Sequence, residues 1–116
     1  MSISMTSELQ HCIDACRRCA DMCIEATIHC LGRWADEEHV RPLMDCADVC
    51  TTSGNFLRRM SRMSWRLCDV CGEICEQCAD LCDRYPKDEI MARCARACRD
   101  CSNACQEMAK LVTKAA

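Results

Sequence analysis

Residues 68–82 read CDVCGEICEQCADLC: five cysteines in fifteen residues, at steps of three, four, three and four. That rhythm constrains the chain strongly. A helix turns by about 100° per residue, so side chains three and four apart share one face, whereas a strand would throw them to alternate faces. The rhythm recurs in Cys12, Cys16, Cys19, Cys23 and Cys30, and again in Cys94, Cys98, Cys101 and Cys105. On a helical wheel the first and last sets fit arcs of about 60°, and the set from Cys68 to Cys82 about 80°. A further segment carries only Cys46 and Cys50, with Ser53 and Leu57 continuing their line and His39 preceding it. Charged residues flank the stripes, among them Asp14, Arg17, Glu73, Glu76, Arg96 and Arg99. Thiols thus occupy the face that an amphipathic helix normally fills with leucine.

Turn signals bound four helices, at about 7–31, 37–60, 65–84 and 88–114, within one domain spanning residues 1–116. Ser7 and Asp36 read as N-caps and Gly32 as a stop. Pro42, early in the second segment, implies a regular helix that begins one turn later. The connectors around GRWA, SRMS and RYPK are short, and short connectors join antiparallel neighbours. The expected fold is therefore all-α: an antiparallel up-down-up-down four-helix bundle with a cysteine-lined core.

Sixteen cysteines in 116 residues reach the composition of a disulfide scaffold. The rest of the chain argues against one, with only three Gly, two Pro and four aromatic residues, Trp34, Phe56, Trp65 and Tyr85. Helix neighbours three or four apart hold their Cβ atoms at about 5–6 Å, too far for the ~3.5–4.5 Å of a bridge. Bridges between helices would need an oxidising compartment. The N-terminus, MSISMTSELQHC, has no basic, apolar leader, so the expected compartment is the cytosol, where thiols stay reduced. A net charge of −3 makes no case for nucleic acid. No stretch approaches the ~20 apolar residues of a membrane span. No nucleophile, base and orienting group stand together, and no phosphate loop is present, so the chain does not read as an enzyme.

One or two buried thiols behave as small hydrophobes. Sixteen in register, displacing leucine and isoleucine, make a poor core and a good soft-metal site. Thiolates select Cu(I), zinc and iron–sulfur clusters. Structural zinc needs only isolated tetrahedral groups. The bacterial ferredoxin run of cysteines ends in Cys-Pro, and neither Pro42 nor Pro86 follows a cysteine. Cu(I) accepts two or three thiolates, and two sulfurs across one ion lie roughly 4–5 Å apart. Each C-x3-C pair is then a candidate site: Cys12/Cys16, Cys19/Cys23, Cys46/Cys50, Cys71/Cys75, Cys78/Cys82, Cys94/Cys98 and Cys101/Cys105. Each bound Cu(I) replaces a thiol proton, so a filled column stays nearly neutral. A thiol redox or zinc-buffering protein is the alternative, and an iron–sulfur electron carrier the third.

The runs HCIDACRRCADMC, IHC, DCADVC, CDVCGEICEQCADLCDRYP and CARACRDCSNAC resemble the four-helix-bundle copper storage proteins of bacteria over nearly the whole chain. The resemblance implies a bundle filled with many Cu(I) ions on cysteine thiolates, folded without metal and often associated as a homotetramer. No twin-arginine signal is visible, so the branch the resemblance implies is the cytosolic one. Two cysteines in the second helix, and Ala26 in a cysteine register position of the first, imply a capacity below that of more cysteine-rich relatives.

The expected ligands are all sixteen cysteines, with His39 as a ligand or gate. The end holding the first and third connectors is the expected mouth, with Cys30, Cys82, Cys94, His39, His29 and Met91. The opposite end, with Met5, Met60, Met63, Met108 and His11, is expected to be plugged by Phe56, Leu57 and Met60. Met44 falls on the side away from Cys46. The expected partners are copper ions and further copies of the chain, with neither nucleic acid nor membrane.

Overall fold

The computed structural model describes the backbone of residues 3–33 and 37–115, and within it the side chains of 7–33 and 37–111. Four helices occupy this length: α1 Ile3–Leu31, α2 Glu37–Arg58, α3 Ser64–Cys82 and α4 Glu89–Ala115. α1 packs on α2 and α4, and α3 packs on α2 and α4; the diagonal pairs meet only through core side chains, as in Cys19–Cys75 and Cys46–Cys98, both at 3.9 Å, among the described residues. The result is the expected four-helix bundle, a rod of 46 × 21 × 17 Å. Its length is that of the 29-residue α1, about 43 Å at 1.5 Å per residue.

The ends depart from expectation for local reasons. α1 begins at Ile3, so Ser7 lies inside the helix; extending a formed helix costs far less than nucleating one, and a cap-type residue is carried along. Gly32 is not left-handed, and the chain leaves α1 through a turn in which the Arg33 N–H donates to the Cys30 carbonyl at 3.0 Å. Asp36, Trp34 and Ala35 lie outside the described residues. α2 starts at Glu37 and runs through Pro42 without delay. The carbonyl deprived of a donor by that proline belongs to Glu38, an exposed residue, so the lost bond falls where the backbone is open to solvent.

α2 ends at Arg58, two residues early, in a six-to-one turn. The Ser61 N–H donates to the Phe56 carbonyl and the Met60 N–H to the Leu57 carbonyl, both at 3.0 Å. That pattern requires a left-handed residue, and Met60 supplies it at φ 53°. α3 stops at Cys82, where the Asp83 N–H donates back to the Ala79 carbonyl at 2.9 Å. α4 is capped by Asp88, whose Oδ1 accepts the Met91 N–H at 3.1 Å.

The core is mostly sulfur and alanine. Ala15, Ala20, Ala26, Ala47, Ala79, Ala95 and Ala104 are buried beside the thiols and let the helices approach. Leu43 and Met91 fill one end and Leu57 and Met108 the other. The expected plug is thus corrected in part: Leu57 is buried, but Met60 is exposed because its left-handed turn carries it outward. Met44 is exposed, as its register requires.

Candidate metal centre

All sixteen thiols are buried and free. Fourteen of them form a connected column of groups of three and four. Cys19 of α1, Cys46 of α2 and Cys75 of α3 stand 3.7, 3.6 and 3.9 Å apart, in the order 19–46, 46–75, 19–75. Cys98 of α4 closes a second triangle on the Cys19–Cys46 edge, at 3.7 and 3.9 Å. Cys50 and Cys71, 3.7 Å apart, share an edge in the same way between Cys75, at 3.4 and 3.9 Å, and Cys101, at 3.7 and 4.0 Å. Cys23, Cys94 and Cys98 make a further triangle at 3.8, 4.0 and 3.8 Å. Cys75 and Cys98 are the shared corners that join these groups. Cys78 completes a set of four with Cys23, Cys94 and Cys98, with all sulfurs within 4.8 Å of one another. Toward the other end Cys16 meets Cys101 and Cys105 at 3.7 and 3.8 Å, and Cys12, Cys68 and Cys105 form a last group of three.

The spacing is chemically informative. Three sulfurs around one ion, with bonds of ~2.3 Å, lie about 4.0 Å apart. The observed edges of 3.4–4.0 Å approach that value. A single tetrahedral site would need all six edges near ~3.8 Å. Cys19, Cys46, Cys75 and Cys98 form two triangles on one edge, and four further sets of four thiols, among them Cys16, Cys71, Cys101 and Cys105, have all sulfurs within 4.8 Å of one another, so the groups overlap along the column. Shared edges and corners suit ions that share bridging thiolates. The in-helix pairs read from the sequence include Cys71/Cys75 and Cys94/Cys98, at 3.9 and 4.0 Å. Most of the closest contacts, however, cross between helices, and periodicity within one helix could not supply them.

Hydrogen bonds with neighbouring thiols hold Cys98 and Cys23 well above the ordinary thiol range, and burial adds to the effect. Thiol hydrogen bonds pull Cys46 and Cys71 the other way, against burial. Protons are thus shared unevenly along the column, and a cation that replaces them relieves the competition.

At the expected mouth the column thins. Cys30 donates to the Met91 thioether at 3.7 Å, both residues being fully buried. Burial, the Asp88 carboxylate and Cys94 raise the Cys30 thiol. Cys82 meets the column through thiol hydrogen bonds with Cys78 and Cys94, which together with burial raise it, whereas Cys30 stands outside the groups of three and four. Cys82 lines a recess of about 220 Å³ with Pro86, Ala92 and Ala95. His29 is held at both ring nitrogens, Nε2 by Asp88 at 2.7 Å and Nδ1 by Arg33 at 2.9 Å. His39 lies outside the clusters, its Nε2 bonded to the Tyr85 hydroxyl. His11 is exposed, and the side chain of Met5 lies outside the described residues. Sequence reasoning missed Tyr85, Asp88 and Arg33; the only available signal was that the first and third connectors share an end of the bundle.

Comparison with known proteins agrees with this geometry. The copper storage protein (Csp) family model matches residues 5–110. A crystal structure of a protein from Nitrosospira multiformis is 39% identical, covering 91% of this chain and 98% of its own, with a TM-score of 0.84. A cytosolic copper storage protein from Streptomyces lividans, carrying five coppers, is 31% identical over 94% and 98% of the two chains, with a TM-score of 0.85. A Cu(I)-bound copper storage protein is 28% identical over 88% and 98%, with a TM-score of 0.81. No curated protein sequence matches the chain significantly. With a thiol-filled bundle and a family match across nearly its whole length, the chain belongs to the copper storage protein family.

Proposed function

We propose that this protein is a cytosolic store for Cu(I), with its sixteen cysteine thiols as ligands and a non-enzymatic role. The carrying observation is the continuous set of thiol triangles with shared edges and corners. A store needs many adjacent sites, and bridging thiolates let each sulfur serve more than one ion. Cu(I) is monovalent and each ion displaces one proton, so loading adds little net charge to the core and capacity is roughly one ion per thiol. The cytosolic assignment is supported by the Streptomyces lividans relative. We read the Cys30 and Cys82 end as the mouth, with His39 and Tyr85 as its gate.

We also read the protein as a homo-oligomer, a tetramer by family resemblance. Ile24, Ile28 and Leu31 form an exposed apolar line on α1, and Met44 is exposed on the adjoining α2; such a line is a candidate face for another copy. Light scattering coupled to size exclusion checks this, and a monomer at micromolar concentration removes the reading.

The storage reading is tested by anaerobic titration of the fully reduced protein with Cu(I) against a chromophoric chelator. Storage predicts that the chelator stays uncoloured until roughly ten or more equivalents are bound. Colour after the first one or two equivalents would sink it and return the thiols to redox or zinc chemistry.

A further inference from the structure

We propose that the connector between α2 and α3 is a docking surface for an anionic lipid bilayer. The net charge of −3 is unevenly distributed. Residues 49–68 hold four arginines, Arg58, Arg59, Arg62 and Arg66, and no acidic residue; the rest of the chain carries eleven basic residues against eighteen acidic ones. All four arginines are exposed, and among the described residues none is in an ion pair, whereas Arg41, Arg93 and Arg99 each are. Such a patch attracts phosphate, and the planar guanidinium fork fits a phosphate group with two hydrogen bonds. The expectation of no membrane partner rested on the lack of a spanning segment, and a surface contact needs none.

Apolar side chains decide between the phosphates of a bilayer and those of a nucleic acid. Met60, Met63 and Trp65 stand among the arginines, 59, 45 and 36% exposed. The Arg66 guanidinium lies over the Trp65 ring at 5.1 Å and that of Arg59 over the Phe56 ring at 4.5 Å. One face of each ring is thereby taken and cannot stack a base. An indole and two thioethers ringed by arginines instead match the boundary between lipid headgroups and acyl chains. The turn already holds this set outward. Met60 is left-handed, the Ser61 N–H donates to the Phe56 carbonyl, and Ser61 Oγ accepts the Met63 N–H at 3.1 Å. Little ordering is then left to oppose binding. The patch lies at one end of a rod 46 Å long, so a docked molecule turns its first and third connectors away from the bilayer. No thiol takes part, and the inference stands apart from the storage reading.

The test is co-sedimentation of the full chain with vesicles of mixed phosphatidylglycerol and phosphatidylcholine at low ionic strength, with Trp65 fluorescence followed in a Trp34→Phe background. Binding to the mixed vesicles, a blue shift of Trp65 and no binding to pure phosphatidylcholine are expected. An arginine at an anionic surface strengthens binding about fivefold. Arg58→Gln together with Arg62→Gln is therefore expected to raise the half-saturating lipid concentration about 25-fold. Arg84→Gln together with Lys87→Gln removes the same charge at the other end and should change it by less than about twofold. All four positions are exposed, so far-UV circular dichroism should match wild type. Met63→Ser is expected to diminish the blue shift. The proposal is overturned if the wild type stays in the supernatant, if it binds pure phosphatidylcholine equally, or if the Arg58/Arg62 variant binds as the wild type does. Preference for a single-stranded oligonucleotide over the vesicles overturns it in favour of nucleic acid. A change of oligomeric state in the Arg58/Arg62 variant, with no vesicle binding by the wild type, overturns it in favour of another copy of the chain. None of these results alters the Cu(I) capacity on which the storage reading is judged.

Discussion

Two residues at helix ends show how local geometry sets local stability. Met60 is left-handed because the six-to-one turn after α2 demands it, although only glycine accepts that conformation without a side-chain clash. Met60 is also exposed and fills no space in the core. Met60→Gly should therefore stabilise the protein by about 0.5–1 kcal/mol in chemical denaturation, the relief of the clash less the extra backbone entropy. An unchanged midpoint would mean that the turn is not populated in solution. Asp88 works through its charge as well as its cap. Its hydrogen bond to His29 holds the carboxyl below the ordinary 3.8, with a further contribution from the Met91 N–H. A depressed folded pKa contributes stability that is present above the unfolded value and lost as pH falls through the folded one. Asp88→Asn keeps a cap but has no carboxyl to titrate. Wild type should exceed it by about 0.5 kcal/mol near neutrality, and the gap should close as denaturation is repeated at pH values below 3.8. A gap that does not vary with pH would remove the hydrogen bond between His29 and the Asp88 carboxylate from the account.

At the scale of the elements, the helices approach closely because small residues flank the thiols. Two glycines mark different degrees of closeness. A Cβ added at Gly54 of α2 would meet the Cys16 Cβ at 3.7 Å, an ordinary contact. At Gly72 of α3 it would meet the Gln106 Cγ at 3.3 Å and the Ser102 carbonyl oxygen at 3.4 Å. Backbone cannot swing aside as a side chain does, and Ser102 Oγ already ties α4 to the Gly72 carbonyl at 2.9 Å. Gly54→Ala should add about 0.5–1 kcal/mol through helix propensity alone. Gly72→Ala should gain less, with the difference read from thermal or chemical midpoints of the two variants. Equal gains would show that α3 and α4 yield more easily than their packing implies. The helix ends were legible in the sequence to within a few residues. The misses fell where a continuing helix overrode a local signal, as at Ser7 and Pro42, and where a left-handed Met stood in the place usually held by glycine.

The whole molecule joins a small conventional core to a large array of thiol ligands. Four buried helices with Leu43, Leu57, Met91 and Met108 at the column ends are expected to fold without metal. Each ion that binds only the folded array adds about 2.7 kcal/mol at a hundredfold excess over its Kd. A kcal/mol moves the Tm of a chain this size by about 4 °C or more. Copper loading should therefore raise Tm by more than about 10 °C with little change in far-UV circular dichroism. Helix that appears only on loading would show instead that metal drives the folding. The helices, their antiparallel order and the inward stripe of thiols were determined by the sequence alone, because periodicity and short connectors are local properties of the chain. Which sulfurs become neighbours was decided only by the tertiary structure. The relative rotation and axial offset of packed helices bring Cys19, Cys46, Cys75 and Cys98 from four different helices to one level. The same packing engages His29 and His39 with Asp88 and Tyr85 and leaves two sulfurs, Cys30 and Met91, side by side at the end that holds the first and third connectors. Contacts between distant residues depend on how side chains of different sizes fill the space between helices, and no spacing within a single helix encodes that.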